Sequence, residues 1–137
     1  MHELYRLAKA AFGGHPGWDE RRVRSVLDQD RVFVAEEADL PAGYVALHEE
    51  MPEAIVVDQL LVASGHEGHG VGRTLLLYAE EYALLRDAPV LQIAVEEDNA
   101  PARRFYERWG LRPAGRELLE LRFPHFELVQ ARPPADR

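Results

Sequence analysis

Glu67-Gly68-His69-Gly70-Val71-Gly72-Arg73 joins an apolar run, Ala54 to Val62 (AIVVDQLLV), to the start of the chain's longest helical pattern, RTLLLYAEEYALLRD. The first segment reads as a buried strand. In the second, Val71, Leu75, Ala79, Tyr82 and Leu85 or Arg86 recur on one helical face. A glycine turn between such a strand and such a helix is an anion site by construction. Glycine accepts positive φ and lets a ligand approach the backbone, while the unpaired amides and dipole of a helix start attract phosphate. Arg73 adds a cation in the first turn. The plainer alternative is a tight turn that holds no ligand. Two familiar phosphate loops fail on the letters. A P-loop needs Lys and Ser/Thr after Gly70, where Val71 and Gly72 stand, and a dinucleotide fingerprint counted from Gly68 and Gly70 needs glycine at Arg73.

Outward from this turn the pattern is mixed α/β. Pro89 to Val95 is a second short buried strand, so strand 54–62, helix 71–86 and strand 90–95 form a βαβ unit with a right-handed parallel crossover. Asp98 or Asn99 caps a helix over 100–109, with Pro101 in its first turn and Gly110 as its stop. A last strand is expected from Leu118 to Leu128, bent at Pro124, and QARPPADR (130–137) reads as a disordered tail. Upstream, RVFVAE (31–36) and GYVALHE (43–49) alternate as strands and complete an antiparallel meander with 54–62. Two helices open the chain, one carrying Leu4, Leu7, Ala8 and Ala11, the other Val23, Val26 and Leu27 behind an Asp19 cap, with FGGHPGWDE between them. One domain over residues 1–129 is expected.

Composition narrows the function. At 137 residues with 47% hydrophobic and 29% charged side chains, the chain is an ordinary globular mixture that buries a core. It contains no Cys, which excludes disulfides, thiolate metal sites and a cysteine nucleophile. No apolar window approaches the ~18 residues of a membrane span, and the N-terminus lacks a leader pattern, so no membrane partner and a cytoplasmic location are expected. Sixteen Lys and Arg against 24 Asp and Glu give a net charge of −8, which disfavours nucleic acid and is compatible with cationic partners. Neither His66 and His69 with Glu67 nor any other spacing matches a known metal motif, so no metal is expected.

Downstream of the second strand stands Asn99-Ala100-Pro101-Ala102-Arg103-Arg104-Phe105-Tyr106-Glu107-Arg108-Trp109-Gly110-Leu111. Together with Leu60-Leu61-Val62 and the Gly70-Val71-Gly72 turn, in this order and spacing over about residues 54–115, it resembles the GNAT superfamily of acyl-CoA-dependent N-acetyltransferases. The resemblance implies that acetyl-CoA is the co-substrate. It implies that the backbone of Leu60, Leu61 and Val62 pairs with the pantetheine arm and that Glu67, Gly68, His69, Gly70, Val71, Gly72 and Arg73 wrap the pyrophosphate. The family pattern is Arg/Gln-x-x-Gly-x-Gly/Ala, and Glu67 stands where Arg or Gln is usual. Asn99 is implied to hydrogen-bond the cofactor arm, and Tyr106 to protonate the departing thiolate. Without the motif, Tyr106 also fits plain core packing, since it shares a helical face with Ala102, Phe105 and Trp109. Ala94 occupies the place of the catalytic Glu found in enzymes that acetylate ribosomal-protein N-termini, so such an acceptor is disfavoured.

The base that takes the ammonium proton follows no sequence rule. Asp58 is the candidate, because a carboxylate inside an apolar strand needs either a partner or a task; a solvent-facing position is the alternative. His48, Glu49 and Glu50 are substitutes. The family usually begins with a strand, which this chain lacks before its first helix, so the edge around 31–36 is expected to pair in a homodimer. His15 and Trp18 are expected near the acceptor. The function read from these residues is direct transfer of acetyl from acetyl-CoA to a primary amine of a small molecule, polyamine-like or aminoglycoside-like; the rival is a CoA-binding module without catalysis.

Overall fold

Short-range capping sets most element boundaries in the computed structural model, which describes residues 2–12, 19–50 and 54–124. α1 spans His2–Phe12 and α2 spans Glu20–Gln29; the Asp19 carboxylate accepts a hydrogen bond from the Arg22 amide at 3.2 Å. β1 (Arg31–Glu37) and β2 (Leu40–Glu50) join through Ala38 and Asp39, both left-handed at φ 51° and 64°. A two-residue turn of this hand matches strand twist, so β2 begins before the expected Gly43. β3 (Ala54–Val62), α3 (Val71–Leu85), β4 (Val90–Ala94) and α4 (Ala100–Trp109) follow, and then the hairpin β5 (Arg112–Gly115) and β6 (Leu118–Arg122). Asn99 caps α4 by accepting from the Ala102 amide at 3.3 Å, and Gly110 ends it at φ 118°. β5 carries no sequence signal because its four residues are all exposed and show no alternation. His15, Trp18 and residues 125–137 lie outside the described residues, as do the predicted far end of the last strand and the tail.

The six strands form one sheet in the order β1-β2-β3-β4-β6-β5, with β3 and β4 parallel and every other neighbour antiparallel. The expected meander and βαβ crossover are both present, and β1 stands at one edge. Each face of the sheet has its own core. One unites Val45, Leu47, Ile55 and Val57 with Leu75, Leu76 and Ala79 of α3 and Tyr106 of α4; the other packs Tyr44 and Leu61 against Ala8, Val23 and Leu27 of α1 and α2. The face of α3 needs a correction. Leu85 is 84% exposed, while Leu76 and Ala83 are fully buried. Nine residues at ~100° each put Leu85 about 180° from Leu76, opposite the sheet. No helix among the described residues is long and apolar enough to cross a membrane.

Two irregularities in β3 shape the centre of the sheet. Against β2, Ala46 pairs with Gln59 and Leu47 with Val57, so Asp58 is the extra residue of a β-bulge. The bulge flips the strand's alternation: Val57 and Leu60, three apart, both contribute to the α3 core, and Leu61 turns to the other face. Against β4, the ladder runs only from Ala54–Val90 to Val57–Ile93, and then the strands part. Both departures begin at Asp58.

Gly43 is where β2 passes closest to its neighbours. A Cβ there would collide with the Leu61 carbonyl oxygen and come within 3.0 Å of Val71 Cγ1 and 3.2 Å of Leu75 Cδ1. We expect Gly43→Ala to destabilise the chain by about 1–3 kcal/mol in chemical denaturation, with an unchanged m-value.

Candidate active site

Where β3 and β4 part, a cleft of about 720 Å³ opens. Asp58, Gln59, Leu60 and Leu61 form one wall; Ala94 and Val95 lie on the β4 side, and Asn99, Ala102 and Tyr106 come from the start of α4. The sequence-predicted Leu60, Leu61, Asn99, Tyr106 and Asp58 thus meet in one place. Beyond Val57 the backbone of β3 has no ladder partner on the β4 side, which leaves main-chain groups open to a ligand. Asn99 spends its oxygen on the cap, so its amide nitrogen is the group left for the cleft.

The glycine turn lies between β3 and α3, outside the residues that line this cleft. Gly65, Gly68 and Gly70 have φ of 89°, 80° and 83°, a conformation that a Cβ would strain. Gly70 is the N-cap of α3 and offers no side-chain bond, so the first amides of the helix stay uncapped. Gly72 instead sits inside the helix, where a Cβ would touch Val62 at 3.6 Å and Phe105 at 3.8 Å. Glu67, the departure from the family pattern, stays at the surface and folds back on its own loop: its carboxylate accepts from the Gly65 amide at 2.8 Å. The loop's own amide and that bond hold its pKa below the usual carboxylate range.

Around Asp58 the fold gathers groups that sequence spacing keeps apart. Asp58 Oδ2 lies 2.5 Å from His48 Nδ1, and His48 Nε2 lies 3.0 Å from Glu50 Oε1. Burial works against a charged His48, but its bonds to Asp58 and Glu50 and the charges of Asp58 and Asp30 outweigh this and raise its pKa. Asp30, the C-cap of α2, joins them: its carboxylate, that of Asp58 and a ring nitrogen of His48 lie within 4.8 Å of one another. Sequence reasoning misses Asp30 because a residue at a helix end signals nothing about a strand 28 positions away. Its Oδ2 is buried, and burial together with Asp58 pushes its pKa up to about 7. Glu49, another substitute for the base, belongs elsewhere; it accepts from Tyr82 Oη at 3.1 Å and pairs with Arg86 at 3.3 Å.

Tyr106 is 7% exposed, and burial pushes its pKa up to about 12. It therefore packs in the core and lines the cleft at once. The lining is acidic: Asp19, Asp58, Glu96, Asp98 and Glu117 contribute carboxylates, against the single guanidinium of Arg22. A cleft with this charge pattern attracts cations.

Comparison with known proteins bears on the family and the fold. A profile of the acetyltransferase (GNAT) family matches residues 1–111. The chain is 33% identical over 99 residues to streptothricin acetyltransferase of Streptomyces lavendulae, covering 72% of this chain and 52% of that protein. It is 35% identical over 102 residues to the peptidyl-lysine N-acetyltransferase YjaB of Escherichia coli K12, covering 74% and 63%. The chain thus spans about half to two thirds of the length of these relatives. A crystal structure of a GNAT family acetyltransferase from Elizabethkingia anophelis, with acetyl-CoA bound, shares the fold at a TM-score of 0.72 and 17% identity, over 87% of this chain and 90% of that one.

A raised carboxyl pKa means that the folded state holds a proton which the unfolded chain releases, so Asp30 lowers stability progressively from about its ordinary value of 3.8 to about 7. Asp30→Asn removes that penalty. Thermal unfolding is expected to show the variant gaining on the parent chain at pH 8 relative to pH 4; an equal difference at both pH values contradicts this.

Proposed function

The chain belongs to the acetyltransferase (GNAT) family, and on that premise we propose that it moves an acetyl group from acetyl-CoA to a primary amine of a cationic small molecule by direct attack. The observation that carries this reading is the meeting of Asp58 and Tyr106 in the cleft where β3 leaves β4. The residues present fit the co-substrate. The uncapped start of α3 and the positive-φ glycines before it suit a diphosphate, and the unpaired side of Leu60 to Val62 suits the amide groups of a pantetheine arm. When bound, acetyl-CoA supplies an acyl group activated as a thioester.

The chain's own residues then have two tasks, at either end of the acyl transfer. Asp58 accepts the proton that an ammonium acceptor must lose before it attacks. His48 and Asp30 pass that proton onward or share it, and a carboxyl group titrating near 7 is matched to this task at neutral pH. At the other end stands Tyr106. A phenol with a pKa of about 12 is a weaker acid than a thiol, whose ordinary value is about 8.5. Complete transfer of its proton to a thiolate would then be uphill by about 5 kcal/mol, at 1.36 kcal/mol per unit. Tyr106 therefore acts by donating a hydrogen bond to the leaving sulfur, which stabilises the charge as it develops.

The five lining carboxylates favour an acceptor with more than one positive charge. The name of the Streptomyces relative supports a small-molecule acceptor and that of the Escherichia coli relative a lysine side chain, and the acidic cleft admits both by charge. A cleft of about 720 Å³ is of the size that takes a small molecule.

Acetyl-CoA consumption across polyamines, aminoglycosides, streptothricin and lysyl peptides tests the proposal. Turnover is expected with polycationic small amines above that with peptides. Tyr106→Phe should lower kcat by about 10–100-fold, the worth of one hydrogen bond to a developing charge, with KM for acetyl-CoA little changed. Asp58→Asn should lower kcat more at pH 7 than at pH 9, where more of the amine is already neutral. CoA binding without product on any amine would favour the non-catalytic alternative.

A further inference from the structure

Glu37 ends β1 at the hairpin turn, and it reaches across to the glycine turn that follows β3. Its Oε1 lies 2.6 Å from His66 Nδ1 and 2.8 Å from His69 Nδ1. These are the two histidines that sequence spacing excludes as ligands, because their third partner is 29 and 32 residues away and comes from another element. The three donor atoms all lie within 4.8 Å of one another, and none of the side chains is fully buried.

We propose that Glu37, His66 and His69 form a binding site for a divalent transition metal ion, zinc being the natural probe, and that the ion strengthens diphosphate binding at the adjoining turn. Two neutral imidazoles and one carboxylate are a ligand set that zinc favours, and three protein ligands leave a position for water or a phosphate oxygen. Donor atoms on a tetrahedral ion with bonds of about 2.0–2.2 Å stand roughly 3.3 Å apart, so the cluster needs to open by about half an ångström to admit one. The Nδ1 atoms converge on one carboxylate oxygen, so that opening requires side-chain rotations of the exposed His69 and the half-buried His66 and Glu37.

Charge points the same way. A turn meant for a diphosphate carries two carboxylates close by, Glu37 and Glu67, and Glu67 stands where Arg or Gln is usual in the family the chain resembles. Glu67 is folded back on the Gly65 amide, a bond that adds no positive charge to the turn. With neutral imidazoles, a divalent ion would give the Glu37 cluster a net positive charge and so offset the Glu67 carboxylate beside the turn. This second half rests on the acetyl-CoA reading above, whereas metal binding itself does not.

The test uses the untagged chain after EDTA treatment and dialysis. Zinc chloride is titrated calorimetrically into the parent chain, His69→Ala, Glu37→Gln and, as a control for the second cluster, His48→Ala. One zinc per chain in the micromolar range is expected, weakened at least about tenfold by His69→Ala and by Glu37→Gln and unchanged by His48→Ala. Cobalt(II) substitution provides a readout independent of heat, with visible absorption expected in the parent and lost in His69→Ala. Absence of binding below 1 mM, or binding that ignores both variants, overturns the site. Acetyl-CoA, which has no free thiolate to chelate zinc, is then titrated with and without the ion. Affinity is expected to rise at least threefold with zinc in the parent and not in His69→Ala, and acetyl-CoA should tighten zinc by the same factor. Equal acetyl-CoA affinity in both states overturns the coupling. Zinc binding with no acetyl-CoA binding in either state overturns the co-substrate reading and the coupling, but leaves the metal site standing.

Discussion

One inserted residue in a strand organises the site. A β-strand that kept its register on both sides would run Asp58 into an apolar sheet, where an unpaired carboxylate is strongly unfavourable. The bulge releases it: Asp58 has no pairing partner in the β2 ladder and its carboxylate meets His48 instead, and beyond Val57 the ladder to β4 ends as well. The same step turns Leu60 toward the α3 core and Leu61 toward the α1–α2 core, so packing on both faces holds the bulge in place. A cleft, an aimed carboxylate and a stretch of unpaired backbone all follow from it.

Electrostatics divides the molecule into two regions of different character. Around Asp58 the groups are acidic and partly buried, and they share protons, as the raised pKa of Asp30 and the raised pKa of His48 both express. At the glycine turn the favourable charge comes from main-chain amides and a helix start, and His66 and His69 hydrogen-bond the Glu37 carboxylate beside it. In the proposed reading the amine acceptor takes the first environment and the diphosphate of the co-substrate the second, which lies outside the residues that line the cleft. Tyr106, which lines the cleft, is buried enough to stay protonated at any physiological pH.

Much of this is legible in the sequence because it is local. The caps at Asp19 and Asn99, the stop at Gly110 and the glycine turn before a long helix depend on residues three or four apart, and the structure has each of them. The βαβ order follows from two apolar runs around a helical pattern. What escapes detection is long-range or aperiodic. The bulge breaks alternation by one residue inside a uniformly apolar run, β5 is fully exposed, and Asp30 and Glu37 reach their partners only once the sheet has formed. Leu85 illustrates the limit of periodicity: an apolar residue near the expected stripe reads as buried, although packing of Leu76 and Ala83 rotates that face away from it.

The central claim is that main-chain amides at the start of α3 receive the diphosphate of a CoA thioester, with the open side of β3 receiving its arm. Amide chemical shifts of the ¹⁵N-labelled chain, followed during titration with CoA, test this residue by residue. The largest shifts are expected at Gly68 to Arg73 and at Leu60 to Val62, with β5 and β6 unmoved. Shifts confined to other elements, or none at millimolar CoA, would contradict it.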